Sequence, residues 1–257
     1  ELDSLLPDSS RSYRGGLFTA SDGRAEPTLV VPAMASKARQ KGAVILENTA
    51  ARGIETSAGL VRGAITEKGR IDCNAVLFAG GAWSRLFCRS VGVDLPQLKI
   101  LSSVMRTHPI AGCPDVSASG HGFSFRKRLD GGYTVAHGDI IDYEVVADSL
   151  RLSMRFLPLA WQAKGKLRLR FSKLFGAEWR EPRHWPLDQP GPFEKIRILN
   201  PSPRLEELSS AKHNLLNAYS SFRGLKVAEQ WAGVIDVTPD AIPVISPVSS
   251  LPGLIIA

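Results

Sequence analysis

Ala79-Gly80-Gly81-Ala82-Trp83-Ser84 follows a short apolar run, Ala75-Val76-Leu77-Phe78, and is the most informative local site in the chain. Glycines at the carboxyl end of a parallel strand let the backbone approach a ligand, and a helix that follows can offer its first amides to a phosphate. A tight turn is the competing reading, because neither G-x-G-x-x-G nor G-x-x-x-x-G-K-[ST] occurs anywhere in the sequence. His121 and His137 flank a predicted hairpin and have the side chain suited to acid or base work near neutral pH, with a hydrogen-bonded structural role as the alternative. The five histidines show no H-E-x-x-H or paired spacing, so no metal site is expected. Ser84 lacks a G-x-S-x-G elbow and reads as a helix cap. Cys73 and Cys88 read as buried apolar fillers, Trp231 as a packing residue, and Asp240 in Thr238-Pro239-Asp240 as a turn former.

Whatever chemistry these residues carry must be held by a chain of 257 residues, enough for one large domain or two small ones at about 150 residues per domain. With 44% hydrophobic and 22% charged residues and a mean hydropathy of -0.04, the composition is that of a globular protein and excludes disordered, collagen-like and disulfide-stapled classes. The formal charge is +7, from 32 basic and 25 acidic residues. Between Ser149 and Ala177 stand seven cations (Arg151, Arg155, Lys164, Lys166, Arg168, Arg170, Lys173) and no acid, which leaves the rest of the chain balanced. The pI near 9.5 therefore reports one segment, and no nucleic-acid partner is expected from it. Three cysteines, Cys73, Cys88 and Cys113, fit neither a disulfide framework nor a C-x-x-C pair, which predicts a reducing compartment and a cytoplasmic protein. No apolar run reaches the roughly 18 residues of a spanning helix, and Glu1-Leu2-Asp3-Ser4 does not resemble a leader peptide. The absence of an initiator Met and the apolar close Leu254-Ile255-Ile256-Ala257 suggest a piece of something longer.

The elements that would position these residues follow from punctuation and period. Pro27 suits a first helical turn, Leu29, Val30, Ala33, Met34 and Ala38 recur at helical spacing, and Lys41-Gly42 closes the helix. A strand is expected over Ala43–Leu46. Gly59–Thr66 and Gly69–Cys73 read as a small hairpin or meander, and the apolar run 75–79 as a strand buried on both faces of a parallel sheet. Asp130-Gly131-Gly132 between Phe123–Arg126 and Tyr133–Ala136 predicts a hairpin. Residues 144–177 read as partly helical, although the period-two alternation of 166–171 also suits a strand. Six prolines between Pro182 and Pro203 make a loop, a helix is expected over Pro203–Tyr219, and strands are expected at 234–237, 242–245 and 254–256.

The order of five landmarks resembles the FAD-dependent oxidoreductases of the D-amino acid oxidase (DAO) family. They are Glu26-Pro27 opening a helix, Gly42-Ala43, Glu47-Asn48-Thr49-Ala50-Ala51, Ala79 to Ser84, and Gly92-Val93-Asp94-Leu95-Pro96. Downstream, Phe125-Arg126 with Asp130-Gly131-Gly132 resembles the family's substrate-domain hairpin. Trp231-Ala232-Gly233 with Thr238-Pro239-Asp240 to Ile245 resembles its WxG…TPDxxPxIG signature. The resemblance implies FAD as cofactor and hydride transfer from the C–N carbon of an amine, amino acid or imino acid, with the organic chemistry supplied by the flavin. It places Ala51 against the adenosine part and Ala79, Gly80, Gly81 and Trp83 along the cofactor. Arg126 and Trp231 are the substrate-side candidates it suggests, His137 joins them on its imidazole chemistry, and the catalytic residue itself stays open.

The pattern departs from the family in three ways. The first βαβ unit with its glycine fingerprint is absent, the glycine-rich loop after the last strand is absent, and Ile235-Asp236 stands where many relatives have Arg-Pro. An aspartate there repels a carboxylate and attracts an ammonium. The expected fold is α/β, mixed α+β: a partial FAD-binding Rossmann-like part lacking its first βαβ unit (1–98 and 225–257) and an antiparallel-sheet substrate domain (99–224). The alternative is a non-catalytic fragment or subunit that does not bind FAD alone. The basic segment 149–177 is read either as a solvated face or as a peripheral membrane or partner-subunit contact.

Overall fold

The computed structural model of the chain describes residues 2–10 and 13–257; Glu1, the first residue of the stretch read as unlike a leader peptide, lies outside them. In chain order the helices are α1 (Leu2–Leu5), α2 (Pro27–Gln40), α3 (Ser84–Ser90), α4 (Ala147–Arg151), α5 (Ser153–Gln162), α6 (Leu174–Arg180), α7 (Pro192–Lys195) and α8 (Leu205–Ala218). The first strands are β1 (Ala51–Ser57), β2 (Leu60–Thr66), β3 (Gly69–Asp72), β4 (Val76–Phe78), β5 (Leu98–Thr107), β6 (Ser117–Gly120) and β7 (Phe123–Lys127). They are followed by β8 (Tyr133–Ala136), β9 (Ile141–Val145), β10 (Leu167–Phe171), β11 (Val227–Val237), β12 (Ser246–Pro247) and β13 (Leu254–Ile256). The fold is mixed α/β, with antiparallel and parallel pairings side by side. Two compact units divide the chain. The first holds Glu1–Leu46, Ser102–Ile140 and Pro201–Ala232, the second Glu47–Leu101, Ile141–Asn200 and Gly233–Ala257.

In the first unit, β7 and β8 form the expected hairpin, with Phe125 opposite Val135 and Lys127 opposite Tyr133. Asp130 makes the turn by accepting the Gly132 amide at 2.9 Å, the local side-chain bond that lets Asp compete with extended backbone. Alternation along these strands sends Phe123, Phe125, Tyr133 and Val135 to one face, where Leu208, Ala211, Leu215 and Ala218 of α8 pack with Tyr219 and Phe222. Five aromatic rings meet there. Phe125 alone lies within 5.3 to 6.3 Å, centroid to centroid, of Phe123, Tyr133, Tyr219 and Phe222. The α2 helix begins at Pro27 and its last turn is capped by the Lys41 amide before Gly42, as expected, yet none of its residues is buried. The strand expected over Ala43–Leu46 does not form: no described strand pairs with it, Val44 is 82% exposed, and an unpaired ladder has no reason to persist.

In the second unit β1, β2 and β3 make an antiparallel meander. Its first turn is Ala58-Gly59, both at positive φ, the two-residue loop whose twist matches the strands it joins. β4 pairs in parallel with β13, Val76 opposite Leu254 and Phe78 opposite Ile256, and β12 adds an antiparallel edge. This pairing bears out the parallel strand read from residues 75–79, but not its burial on both faces: Leu77 is 63% exposed. The core beneath it gathers Ile54, Val61, Phe87, Cys88, Leu95, Leu254 and Ile256. Residues 167–171 form a strand, parallel to β9 with Leu169 opposite Tyr143, so the period-two alternation decides that segment. The strand expected at 242–245 is replaced by a turn. The Thr238 hydroxyl donates to the Ile242 carbonyl, the Asp240 carboxylate accepts the Ile242 amide, and Ala241 sits at φ +57. Asp240 is thus the turn former the sequence suggests.

Candidate functional site

The chain leaves β4 at Phe78 and turns through Gly80 and Gly81 into a 3-10 turn, Gly81–Trp83, that runs into α3. Gly80 is required by packing: a Cβ there would lie 2.4 Å from the Phe78 ring. That ring is itself fixed, stacked on Phe87 of α3 at 3.7 Å with 7° between planes. Gly81 adopts φ +52, a left-handed conformation that glycine reaches at no steric cost, and a Cβ there would meet only the Asp236 carboxylate, at 3.8 Å. Ser84 does not cap the helix, contrary to the sequence reading. Trp83 holds the cap position without a side-chain hydrogen bond, and Ser84 is the first helical residue. Its hydroxyl is buried with no protein partner among the described residues, 3.3 Å from the position a Gly80 Cβ would take. A buried hydroxyl without a partner is costly, and it sits beside the turn that sequence spacing had singled out.

One buried side chain ties this turn together. Gln97 Oε1 accepts the Arg85 amide at 3.0 Å, while its Nε2 donates to the Gly81 carbonyl at 3.2 Å and to Asp236 at 2.8 Å. The start of α3, the second glycine and the aspartate of β11 are thereby fixed relative to each other. Behind them Arg85, itself buried, donates through Nε to Asp148 at 2.6 Å and through Nη1 to the Leu95 carbonyl at 2.5 Å. Asp148 also meets Arg151 at 3.0 Å and Arg89 at 3.5 Å. Burial alone would raise its pKa, but the hydrogen bonds from Arg85 and Arg151 outweigh it and hold the carboxyl below its usual range. Glu178, whose carboxylate accepts the Asp148 amide, is pushed up by burial. Cys88 is fully buried with its thiol pushed up to about 11 by desolvation, as an apolar filler would be.

The other sequence candidates divide between the two units. Ala51, exposed at the start of β1, belongs to the second unit with Ala79, Gly80, Gly81 and Trp83; no hydrogen bond joins it to the glycine turn among those described. Arg126, His137 and Trp231 belong to the first unit. The Arg126 guanidinium donates to the Ala25 carbonyl and lies 3.5 Å from the buried Glu26 carboxylate, which Arg128 approaches at 3.7 Å. Its charge is thus committed to the segment that opens α2. His137 Nε2 is 3.4 Å from the Ser210 hydroxyl of α8, and Trp231 stands partly exposed on β11. Sequence reasoning missed Gln97, Arg85 and Asp148. Only the position of Gln97, directly after Gly92–Pro96, connects it to the pattern, and polar residues of this kind disclose their burial only in the fold.

Known proteins bear on this geometry in two ways. The sequence model of the family described as FAD dependent oxidoreductase (DAO) matches residues 1–257. Among solved structures, the L-amino acid deaminase of Proteus myxofaciens, in complex with anthranilate, superposes with a TM-score of 0.95 at 32% identity, over 99% of this chain and 57% of that one. Among curated proteins, a D-amino acid dehydrogenase of Rhizobium rhizogenes is 33% identical over 82 residues, 32% of this chain and 20% of its own length. The 4-methylaminobutanoate oxidase (formaldehyde-forming) of Paenarthrobacter nicotinovorans is 28% identical over 124 residues, 48% of this chain and 14% of its own. The chain thus spans little more than half the length of the similar structure, and its matches cover smaller shares of the curated relatives.

Proposed function

The chain belongs to the DAO family of FAD-dependent oxidoreductases, and from that premise we propose that it serves the oxidation of the C–N bond of an amine, amino acid or imino acid. The observation that carries the reading is the glycine turn after β4. One side of it is filled by Phe78, the other is open toward Asp236, and the buried Ser84 hydroxyl beside it has no protein partner among the described residues. These residues fit a cofactor that approaches the backbone closely and brings polar atoms of its own. FAD, when bound, supplies the hydride acceptor. Ser84 would offer its hydroxyl, Ala79 and Gly81 an uncovered backbone, and Gln97 would hold the Gly81 carbonyl and Asp236 in register. Trp83, at the end of the 3-10 turn, and Ala51, on the neighbouring meander, complete the cofactor side in this reading.

Asp236, fixed by Gln97, presents a carboxylate. It favours a substrate that brings a cation, such as an ammonium, over one recognised first through its carboxylate. We assign residues 1–98 with 225–257 to the flavin part and 99–224 to the substrate part, with Arg126 and His137 of the substrate part and Trp231 of the flavin part as candidates for substrate contact, and no nucleic acid among the partners. The protein is placed in the cytoplasm, a reading supported by three free cysteines.

The test is a titration of the purified chain with FAD, followed by visible flavin absorbance and fluorescence quenching. Saturable binding, weakened about fivefold in Ser84→Ala, is expected from the loss of one hydrogen bond. A chain that leaves the flavin spectrum and fluorescence unchanged at any concentration overturns the assignment of this turn as a flavin wall.

A further inference from the structure

The glycine turn is fastened from a helix far along the chain as well as from its neighbours. α4 opens after Val146, whose side chain offers no acceptor, so the first amides of the helix need partners from elsewhere. The Ser149 hydroxyl accepts the Val146 amide at 2.8 Å, and the Asp148 amide donates to Glu178 Oε1 of α6 at 2.9 Å. Glu178 thus supplies, from 30 residues downstream, the acceptor that Val146 lacks. α6 meets Asp148 a second time through Arg151, which donates to the Asp148 carboxylate at 3.0 Å and lies 5.3 Å over the Trp179 ring, itself stacked with Phe175.

From Asp148 the hydrogen bonds run to the turn without a break. Asp148 Oδ2 accepts Arg85 Nε at 2.6 Å, the Arg85 amide donates to Gln97 Oε1 at 3.0 Å, and Gln97 Nε2 donates to the Gly81 carbonyl at 3.2 Å and to Asp236 at 2.8 Å. Gln97, Arg85 and Asp148 are each more than nine-tenths buried, so water does not readily replace a partner that leaves. All of these residues belong to the second unit. Burial pushes the Glu178 carboxyl up and the Asp148 charge adds to it, while the Asp148 amide, Lys99 and Arg89 pull it back. What Glu178 contributes here is an acceptor more than a charge, and a glutamine amide offers the same acceptor.

We propose that Glu178 is a positioning residue for the glycine turn: by capping α4 it seats Asp148 on Arg85, and Arg85 in turn orients Gln97, Gly81 and Asp236. Resting on the reading of that turn as a flavin wall, the assignment adds to it a residue of α6 that is separated from Gly81 by Asp148, Arg85 and Gln97. Buried polar groups joined in this way couple, because each holds the geometry of the next.

Backbone hydrogen exchange of the full chain without flavin, followed peptide by peptide by mass spectrometry, tests it beside the FAD titration. Glu178→Ala is expected to speed exchange of residues 80–87 by about threefold to tenfold, to leave residues 123–136 of the first unit unchanged, and to weaken FAD binding by a similar factor. Glu178→Gln, which keeps the acceptor, is expected to behave as the native chain in both measurements. Exchange at 80–87 that Glu178→Ala does not alter overturns the proposal, as do a rise of equal size at 123–136, which is general loosening, and a glutamine variant no better than alanine. Faster exchange at the turn with unaltered FAD affinity overturns the positioning role. A native chain that binds no FAD strikes the flavin reading instead, and the exchange comparison still decides whether Glu178 holds the turn.

Discussion

The two units hold their elements by opposite means. In the first, β7, β8 and α8 are joined by rings: Phe123, Phe125, Tyr133, Tyr219 and Phe222 meet edge to face and stacked, and the Tyr133 hydroxyl at their edge donates to the Pro114 carbonyl at 2.9 Å. In the second, the segment after β4 is fastened by buried polar groups, Gln97, Arg85 and Asp148, each holding several partners. An aromatic core tolerates small shifts, because dispersion is weakly directional. A buried guanidinium or amide fixes distance and angle and is costly if one partner leaves. The unit that carries the candidate cofactor turn is the one with directional fastening, which suits a site that must hold its shape.

Four outcomes would break or sharpen that contrast. The largest effect is expected from Phe125→Ala, which removes the ring touched by four others and should cost about 3–5 kcal/mol in urea denaturation; a loss under about 1 kcal/mol would mean the aromatic cluster is not the first unit's mainstay. Arg85→Leu leaves Asp148 buried with its two weaker or more exposed cations and should cost about 2–3 kcal/mol, with Arg85→Lys recovering only part, since a single ammonium cannot reach both Asp148 and the Leu95 carbonyl. Full recovery by lysine would show that charge, not directionality, does the fastening. Gly80→Ala forces a methyl group onto the Phe78 ring and is expected to cost about 1–3 kcal/mol, with near-ultraviolet circular dichroism of the aromatic stack changing alongside. The smallest effect concerns the exposed pair Glu67–Arg197. Its hydrogen bonds, with help from the Ala50 amide, lower the Glu67 pKa from 4.5 to about 2. A carboxyl with a depressed folded pKa contributes stability above its unfolded value and loses it as pH falls from 4.5 toward 2. The difference in stability between the native chain and Arg197→Ala should therefore shrink across that acid range and be constant above it; a difference that grows on acidification would contradict the sign.

The contrast also separates what could be read beforehand from what could not. The β7–β8 hairpin, the bounds of α2 and α8 and the parallel strand after residue 75 were legible because each rests on a neighbour in sequence: Asp130 on Gly132, Pro27 on the first turn, Gly42 past the last. The strands expected at 43–46 and 242–245 were not formed, since a strand exists only when another pairs with it, and at 242–245 the Thr238–Asp240 turn claims the backbone first. Leu77 looked like a doubly buried residue, and its exposure depends on what lies opposite β4. The glycine turn was found from spacing alone, but Ser84 was given the wrong task, because whether a serine caps a helix depends on where the helix starts to within one residue.

By itself the sequence determined the family landmarks, the order and type of most elements, and the concentration of positive charge in one segment. These are properties of short stretches, where side-chain type acts on the backbone within a few residues. Only the tertiary structure decided that Gln97 joins Gly81, Arg85 and Asp236, and that Arg155 and Arg170 of the basic segment pair with Asp94 and Asp142. It likewise decided which side of α5 faces outward. Those are pairings between residues far apart along the chain, and their energy comes from burial and geometry that exist only once the chain has folded.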